Sequence, residues 1–518
     1  MPLIAATTPT SGFTLETLDL AIVAGYLLGM LALGVWVGRG QRTTVDYFLG
    51  GRTLPGWAVL LSIVSTETSA VTFLSVPGMA FAAGGDFRFL QITFGYIVGR
   101  LLIVAILLPL YFRGEPFTAY EVLERRFGKA SRRMSSLLFL VTRNLADALR
   151  LYLAALVLQE AMGLEMRTCI IIVGAVTVTY TYLGGVKSVI WNDCVQFAIY
   201  IVGAIVVLYK VLNALPGGVE EFKQYAMAHD KFVVFDFELS LFKPTMTFWA
   251  GLIGGAFLTG STHGTDHLTV QRLLAARSQR AAAWALAASG FIVCLQFALF
   301  LCIGAALAAF YEQYPPATPF GPNGSDRVVA HYIVHHLSTG MKGLTLAAVF
   351  AAAFSSSLNP LAQSLVGDIV LPLARRPISR EAQMRLARMA TLGFGILQIV
   401  IALVSYRLGA SQSVVNSVLG IAAFTSGPML GLYLMGVLTP HVSQRPALGG
   451  FAVGLVVLCF LVLPTQSWWP GFDASRVAIY WPWLAVIGAV CTFGTGLLLS
   501  WTPLNEVPRD DRTEVSTT

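Results

Sequence analysis

Charge is what this 518-residue chain is short of: Asp, Glu, Lys and Arg together make up 12% of it. An ordinary soluble domain carries roughly a quarter, so these residues cannot cover a normal water-facing surface. Cysteine is scarce too, with six in all, at 169, 194, 294, 302, 459 and 491. They lie within or at the edge of apolar runs with no CxxC pair, which leaves no disulfide framework or thiolate metal site, and they read as small buried hydrophobes. A nucleophile–base set, a metal-binding helix motif and a phosphate-cradling glycine loop are all missing, so nothing recommends an enzyme. The net charge of +7 does not point to nucleic acid, because the basic residues are confined to short loops between apolar stretches. No cleavable leader is evident: Met1 to Phe13 is polar, and the first apolar span runs into a basic loop, not a small-residue cleavage site.

What fills the chain instead is apolar. Hydrophobic residues make up 56% of it and mean hydropathy is +0.71. Hydrophobic runs of roughly 20 residues, each able to cross about 30 Å of hydrocarbon, recur from end to end. The lipid bilayer is therefore the expected solvent, and an all-α membrane protein of about 13 transmembrane helices the expected class. Loops on one side collect Arg39, Arg42 and Arg52, then Arg113, Arg125, Arg126, Lys129, Arg132 and Arg133, and later Arg272, Arg277, Arg280, Arg375, Arg376, Arg380, Arg385 and Arg388. That side holds roughly twice the Lys and Arg of the other, which puts it in the cytoplasm of a plasma (inner) membrane protein; an odd span count then sets the N-terminus outside and the C-terminus inside. The longest outer loops, 216–247 and 311–341, read as partly ordered caps or as solvated linkers, and the charged tail 505–518 as disordered.

Two apolar stretches are interrupted midway by polar residues. The first, 57–83, contains Ser65-Thr66-Glu67-Thr68-Ser69 and then Pro77-Gly78. The second, 248–274, contains Gly260-Ser261-Thr262-His263-Gly264-Thr265-Asp266-His267. In lipid every backbone N–H and C=O needs a partner, so a helix opens only where it lines a protected polar site. One opened helix in each half of a chain is the mark of a secondary transporter that binds its solute near the membrane midplane. The two stand about five spans apart, which fits two inverted five-helix repeats with paired broken helices. The chain then divides into an N-terminal peripheral helix and cytoplasmic loop (1–50), an inverted-repeat transport core (51–440), peripheral C-terminal helices (441–504) and the tail. The halves share no convincing sequence identity, so the repeat rests on topology.

Ionisable residues inside apolar spans are costly and functional by default. Glu67 lies in the first interruption, and Asp266 and His267 in or just past the second. Arg143, Asp147 and Arg150 fall at i, i+4 and i+7 and share a helix face. They read as an internally paired structural strip, or as a strip that leaves one arginine for an acidic solute group. Arg100 and Asp193 sit near expected cytoplasmic helix ends, from which they can snorkel to water. The stretch 343–373 carries Ser355-Ser356-Ser357 followed by Asn359-Pro360. Hydroxyls are hard oxygen ligands of the kind an alkali cation takes, and the opened helix near Ser65–Thr68 frees carbonyls that would complete a cage. The plainer reading is hydrogen bonding within or between helices.

Several stretches resemble the sodium/solute symporter family. They are Gly51-Arg52-Thr53-Leu54-Pro55-Gly56-Trp57; the run from Leu183-Gly184-Gly185 to Asn192-Asp193, with Gln196; Gly264-Thr265-Asp266-His267 with Val270-Gln271-Arg272; and Ser426-Gly427-Pro428-Met429-Leu430-Gly431. The resemblance implies the leucine-transporter fold and sodium-coupled symport of a small polar organic solute by alternating access. It implies a sodium site built from the carbonyls of Ser65, Thr68 and Ala352 and the hydroxyls of Ser355 and Ser356. Between Ser356 and Asn359 the chain is shorter than the family pattern, and alignment from Asn359 and Asp368 puts Ala352 and Ala353 at the hydroxyl positions instead. For the solute it implies Thr72, Gln91, Asp266 and Thr269; the ionisable residues Glu67, Arg143, Asp147 and Asp193 read, by themselves, as a coupling or charge network. A glutamine of the sugar-transporting branch falls near Gly420. Sugars, amino acids, monocarboxylates, sialic acids and inorganic anions are all family substrates, so the solute stays open. Proton coupling through Glu67 or Asp266 is a second reading; a membrane solute sensor is a third, disfavoured by a tail too short for an output domain. Oligomeric state is not legible.

Overall fold

The computed structural model describes residues 16–39, 43–68, 70–113, 116–316, 319–320, 324–353, 357–407, 414–465 and 478–505. Among them the chain is helical, and its one β-feature is an isolated bridge between Leu54 and Ala276. Among the described residues, seven helices are long and apolar enough to cross a membrane, or eight if the bent pair Gly56–Glu67 and Thr72–Phe81 counts as one span. Composition accounts for the difference from about thirteen. The helix Lys129–Met162 carries Arg143, Asp147 and Arg150, the stretch 248–274 is broken, and Met166–Thr179, Met341–Phe350 and Phe424–Leu438 are short apolar helices. Large apolar side chains stand on outward faces, among them Leu102, Leu295 and Phe460 at 51%, 72% and 65% exposure. Such surface suits lipid and not water.

The first opened helix begins at Gly56, behind an extended Pro55, and runs to Glu67. Thr68 (φ −82°, ψ 81°) leaves the helical region, and the chain resumes as Ala70–Phe81, bent by 55°. The second opened helix runs through a π-helical stretch, Ala250–Gly254, into Gly255–Gly264 and turns at Thr265 and Asp266 before His267–Leu274. Here the Asp266 carboxylate accepts the Leu268 N–H at 2.8 Å. It thus caps the half-helix and complements its positive end, as an aspartate at a helix start should. Two backbone hydrogen bonds tie the opened helices together: Leu54 N–H to Ala275 C=O at 3.1 Å and Arg277 N–H to Leu54 C=O at 2.9 Å.

Close helix contacts hold the second opened helix in place. A Cβ on Gly95 would stand 2.2 Å from the Gly251 carbonyl, and one on Gly255 2.7 Å from that of Ile92. The helix Ile92–Ile106 therefore packs against it backbone to backbone, the usual use of small residues between membrane helices. The long helical run Met166–Ala214 is broken at Gly185, whose φ of 64° and ψ of 173° suit glycine alone. The loop 216–247 is an ordered cap: buried Lys231 donates to the carbonyls of Ala80, Ala82 and Gly85 at 2.9, 3.1 and 2.9 Å and closes the end of Ala70–Phe81.

A charged cavity between the opened helices

Where the two helices open, their side chains face a common cavity, with Lys129–Met162 forming its opposite wall. About 160 Å³ is free inside, comparable with the roughly 150 Å³ that admits a benzene-sized molecule. Glu67, Arg143, Arg150, His263, Asp266 and Thr269 all line it.

One end is an ion-paired floor. Glu67, from the first opened helix, pairs with Arg100, which is wholly buried and also donates to Ser289 Oγ at 2.7 Å. His263, from the second opened helix, sets its Nε2 3.5 Å from Glu67 Oε2 and 3.3 Å from Arg100 Nη2. Thr259 and Thr262 lie 3.1 and 3.0 Å from His263 Nδ1. The two helices are thus joined across their openings by charge and hydrogen bonds. An unpaired charge at this depth would be costly.

The other wall is cationic. Arg143 and Arg150 share Asp147 at 3.3 and 3.5 Å, and the second oxygen of Asp147 accepts a hydrogen bond from Ser357. Arg143 also approaches Asp266 to 3.9 Å. Both readings of the strip therefore coexist: Arg143 Nη2 and Arg150 Nη1 are paired with Asp147, while Nε of Arg143 and Nε of Arg150 are buried without a hydrogen bond. Buried guanidinium donors of this kind are matched to a planar anion.

The remaining expected residues divide. Asp266 and Thr269 are on the cavity wall. Thr72 is buried beside the first opening, and its hydroxyl donates to the Glu67 carbonyl at 3.2 Å. Gln91 is not on the wall. It donates to the carbonyls of Arg88 and Met246 and accepts from the Asp236 N–H at 3.0 Å, holding the cap formed by 216–247. Thr68 donates to Gln296 at 3.0 Å, while Ser65 Oγ is buried without a partner. Ala352 lies in Met341–Ala353; Ser355 and Ser356 fall outside the described residues.

Two snorkelling arginine and aspartate assignments are overturned. Arg100 and Asp193 are both wholly buried, since each finds its partner inside the protein. Asp193 Oδ2 meets Arg272 Nη2 at 3.1 Å and accepts from Ser62 Oγ at 2.5 Å, and Arg272 Nε donates to the same Ser62 oxygen at 2.9 Å. This triad locks the first opened helix, the second, and Met166–Ala214 together. Arg272, counted from sequence among the basic loop residues, is instead buried inside His267–Leu274, because its partners Asp193 and Ser62 lie within the protein. His263 stood in the sequence reading only as part of the second interruption, and Ser62 was not singled out, since nothing local marks it.

Helices opened around a buried, charged cavity define a membrane transporter. The chain belongs to the Sodium:solute symporter family, whose sequence model matches residues 47–454. It is 30% identical to the sodium/sialic acid symporter SiaT of Proteus mirabilis over 87% of this chain and 89% of that one. It is 28% identical to the human sodium/iodide cotransporter, over 89% of this chain and 72% of that one. A solved structure of a substrate-bound, outward-open, sodium-coupled sialic acid symporter superposes with a TM-score of 0.82 at 27% identity, covering 94% of this chain and 98% of that one. The structure of MhsT in complex with L-phenylalanine, 14% identical with a TM-score of 0.52 over 86% of this chain and 98% of that one, shares the fold. The protein is a sodium-coupled solute symporter and not an enzyme.

Proposed function

We propose that the solute is a small organic carboxylate, held by Arg143 and Arg150 at one end and by Asp266 and Thr269 beside them. The unbonded guanidinium N–H groups of the arginine wall carry this reading. An anion supplies the acceptors they lack, and Asp266, 3.9 Å from Arg143, accepts a hydroxyl or N–H from the same molecule. Relatives named for sialic acid, iodide and monocarboxylates carry anions as well. The test is uptake of labelled organic anions into proteoliposomes with and without an inward sodium gradient. Arg150→Gln should raise the KM for the accepted anion at least tenfold, about 1.4 kcal/mol. A panel in which only uncharged solutes are taken up would refute the carboxylate.

Sodium binds, in this reading, between the first opened helix and the helix after it in the second half, through the carbonyls of Ser65, Thr68 and Ala352 and the hydroxyls of Ser355 and Ser356. Two observations support a cation near Ser65. Its own hydroxyl is buried without a partner, as are Asp193 Oδ1 and both polar atoms of Gln196. The first opened helix and Met166–Ala214 run alongside each other here: Ser62 bonds Asp193, and Thr68 bonds Gln296, which bonds Tyr200 at 2.9 Å. Ser65 and Gln196 lie between those two contacts. Buried polar groups without partners call for an explanation, and a bound cation is one. The wider frame is proposed with it: about thirteen spans in two inverted five-helix repeats, the N-terminus outside and the basic loops in the cytoplasm.

A further inference from the structure

A second recess lies away from the transport cavity and shares none of its residues. It opens between the short helices Leu108–Phe112 and Glu121–Phe127 and the end of Val414–Leu438, and encloses about 280 Å³. Arg113, Arg125 and Arg126 line it, with Leu110, Val122 and Val437 forming its apolar part, and no carboxylate is on its wall among the described residues. We propose that this recess binds the headgroup phosphate of an anionic phospholipid.

The charge there is not cancelled. Arg125 pairs with Glu121 at 2.7 Å, and Glu124, the other acid of the short helix, is taken by Arg132. Arg126 is fixed by backbone carbonyls, Gly436 at 3.2 Å, Thr439 at 2.8 Å and Val442 at 2.9 Å, which satisfy the frayed end of a membrane helix. Those bonds orient its guanidinium and leave its charge whole. Arg113 is exposed and forms no ion pair among the described residues. The recess gathers three arginines, of which Arg125 is ion-paired with Glu121, and arginine forks match phosphate oxygens bidentately.

The surroundings choose lipid over a soluble phosphate. Along the preceding helix Ile92–Ile106, the side chains of Val98, Leu101 and Leu102 are 41%, 49% and 51% exposed, an apolar stripe that leads into Leu108–Phe112 and Arg113. On the other wall Leu438 is 57% exposed. Acyl chains fit along such a stripe, with the phosphate where the stripe ends in arginine. Basic recesses between membrane helices take anionic headgroups in this manner, whereas a soluble anion has no use for the apolar stripe.

The experiment uses the full chain in nanodiscs of phosphatidylcholine with and without phosphatidylglycerol. Lipid retained after delipidating detergent washes is read by native mass spectrometry, and the unfolding temperature is read alongside. Wild type should keep phosphatidylglycerol in preference to phosphatidylcholine and unfold at a higher temperature with it. Arg113→Gln, which breaks no ion pair, should lower that retention severalfold, and Arg113→Gln/Arg125→Gln should abolish the preference. Sodium-driven uptake in phosphatidylcholine vesicles serves as the check that both variants fold. Undiminished phosphatidylglycerol preference in the double variant would overturn the proposal. So would equal stabilisation of wild type by millimolar inorganic phosphate or glycerol phosphate without the lipid, because the occupant would then be a soluble anion.

Discussion

Asp266 carries two duties on one carboxylate: it caps the half-helix His267–Leu274 and it stands on the cavity wall. Asparagine caps a helix about as well as aspartate but carries no charge. Asp266→Asn should therefore keep the protein folded and responsive to sodium while solute affinity falls at least tenfold, as read by equilibrium binding. Wild-type affinity in that variant would remove the carboxylate from solute recognition and leave the arginine wall alone. A cap of this kind needs only local sequence, because its partner, Leu268, is two residues away. Arg100 and Asp193 were misread as snorkelling because their partners, Glu67 and Arg272, lie 33 and 79 residues away. The rule that a charge inside a span must be compensated gives the cost but not the address of the partner.

Opened helices are the features sequence reading captured best, since a run of Ser, Thr, Gly and Asp inside an apolar span has few other uses in lipid. Helix number was less legible, because hydropathy counts apolar length while Lys129–Met162 spends its polar face on the cavity wall. The packing that sets these helices is sensitive to one methyl group. Gly95→Ala would drive its Cβ into the backbone of Gly251, Leu252 and Ala256, at 2.2, 2.6 and 2.7 Å. Neither backbone can yield as a side-chain tip would, so the variant should lose about 1–3 kcal/mol or more, seen as a lower unfolding temperature and poorer recovery. An unchanged unfolding temperature would mean that this helix pair is looser than described.

The short helix Val328–His336 sets a pH dependence of its own. Burial, with help from His335 and His336, holds the His331 imidazole down at about 4, and its Nδ1 lies 2.7 Å from the Tyr311 hydroxyl. Above the ordinary histidine range it is neutral in both folded and unfolded chains, so it contributes nothing that varies. As pH falls from about 6.5 towards 4, the unfolded chain takes up a proton that the folded one does not, and stability drops. The loss from this group should be on the order of 1–3 kcal/mol. His331→Phe should flatten the difference in unfolding temperature between pH 7 and pH 4.5 relative to wild type, and an equal acid sensitivity in the variant would assign it to other groups.

At the scale of the whole molecule, the proposed sites put sodium and solute on the same pair of opened helices. The first offers the Ser65–Thr68 turn, the second offers Asp266 and Thr269, and both meet across Glu67, Arg100 and His263. We expect a cation that stiffens the first helix to tighten an anion that seats against the second, and linkage then requires the same factor in either direction. Solute binding to the purified protein, titrated at fixed low and high sodium with potassium making up the ionic strength, measures that factor directly. Sodium should tighten the solute at least tenfold, the solute should tighten sodium equally, and Ser355→Ala/Ser356→Ala should raise the half-saturating sodium concentration tenfold or more, about 1.4 kcal/mol. Solute affinity that does not change with sodium would contradict the account at its centre.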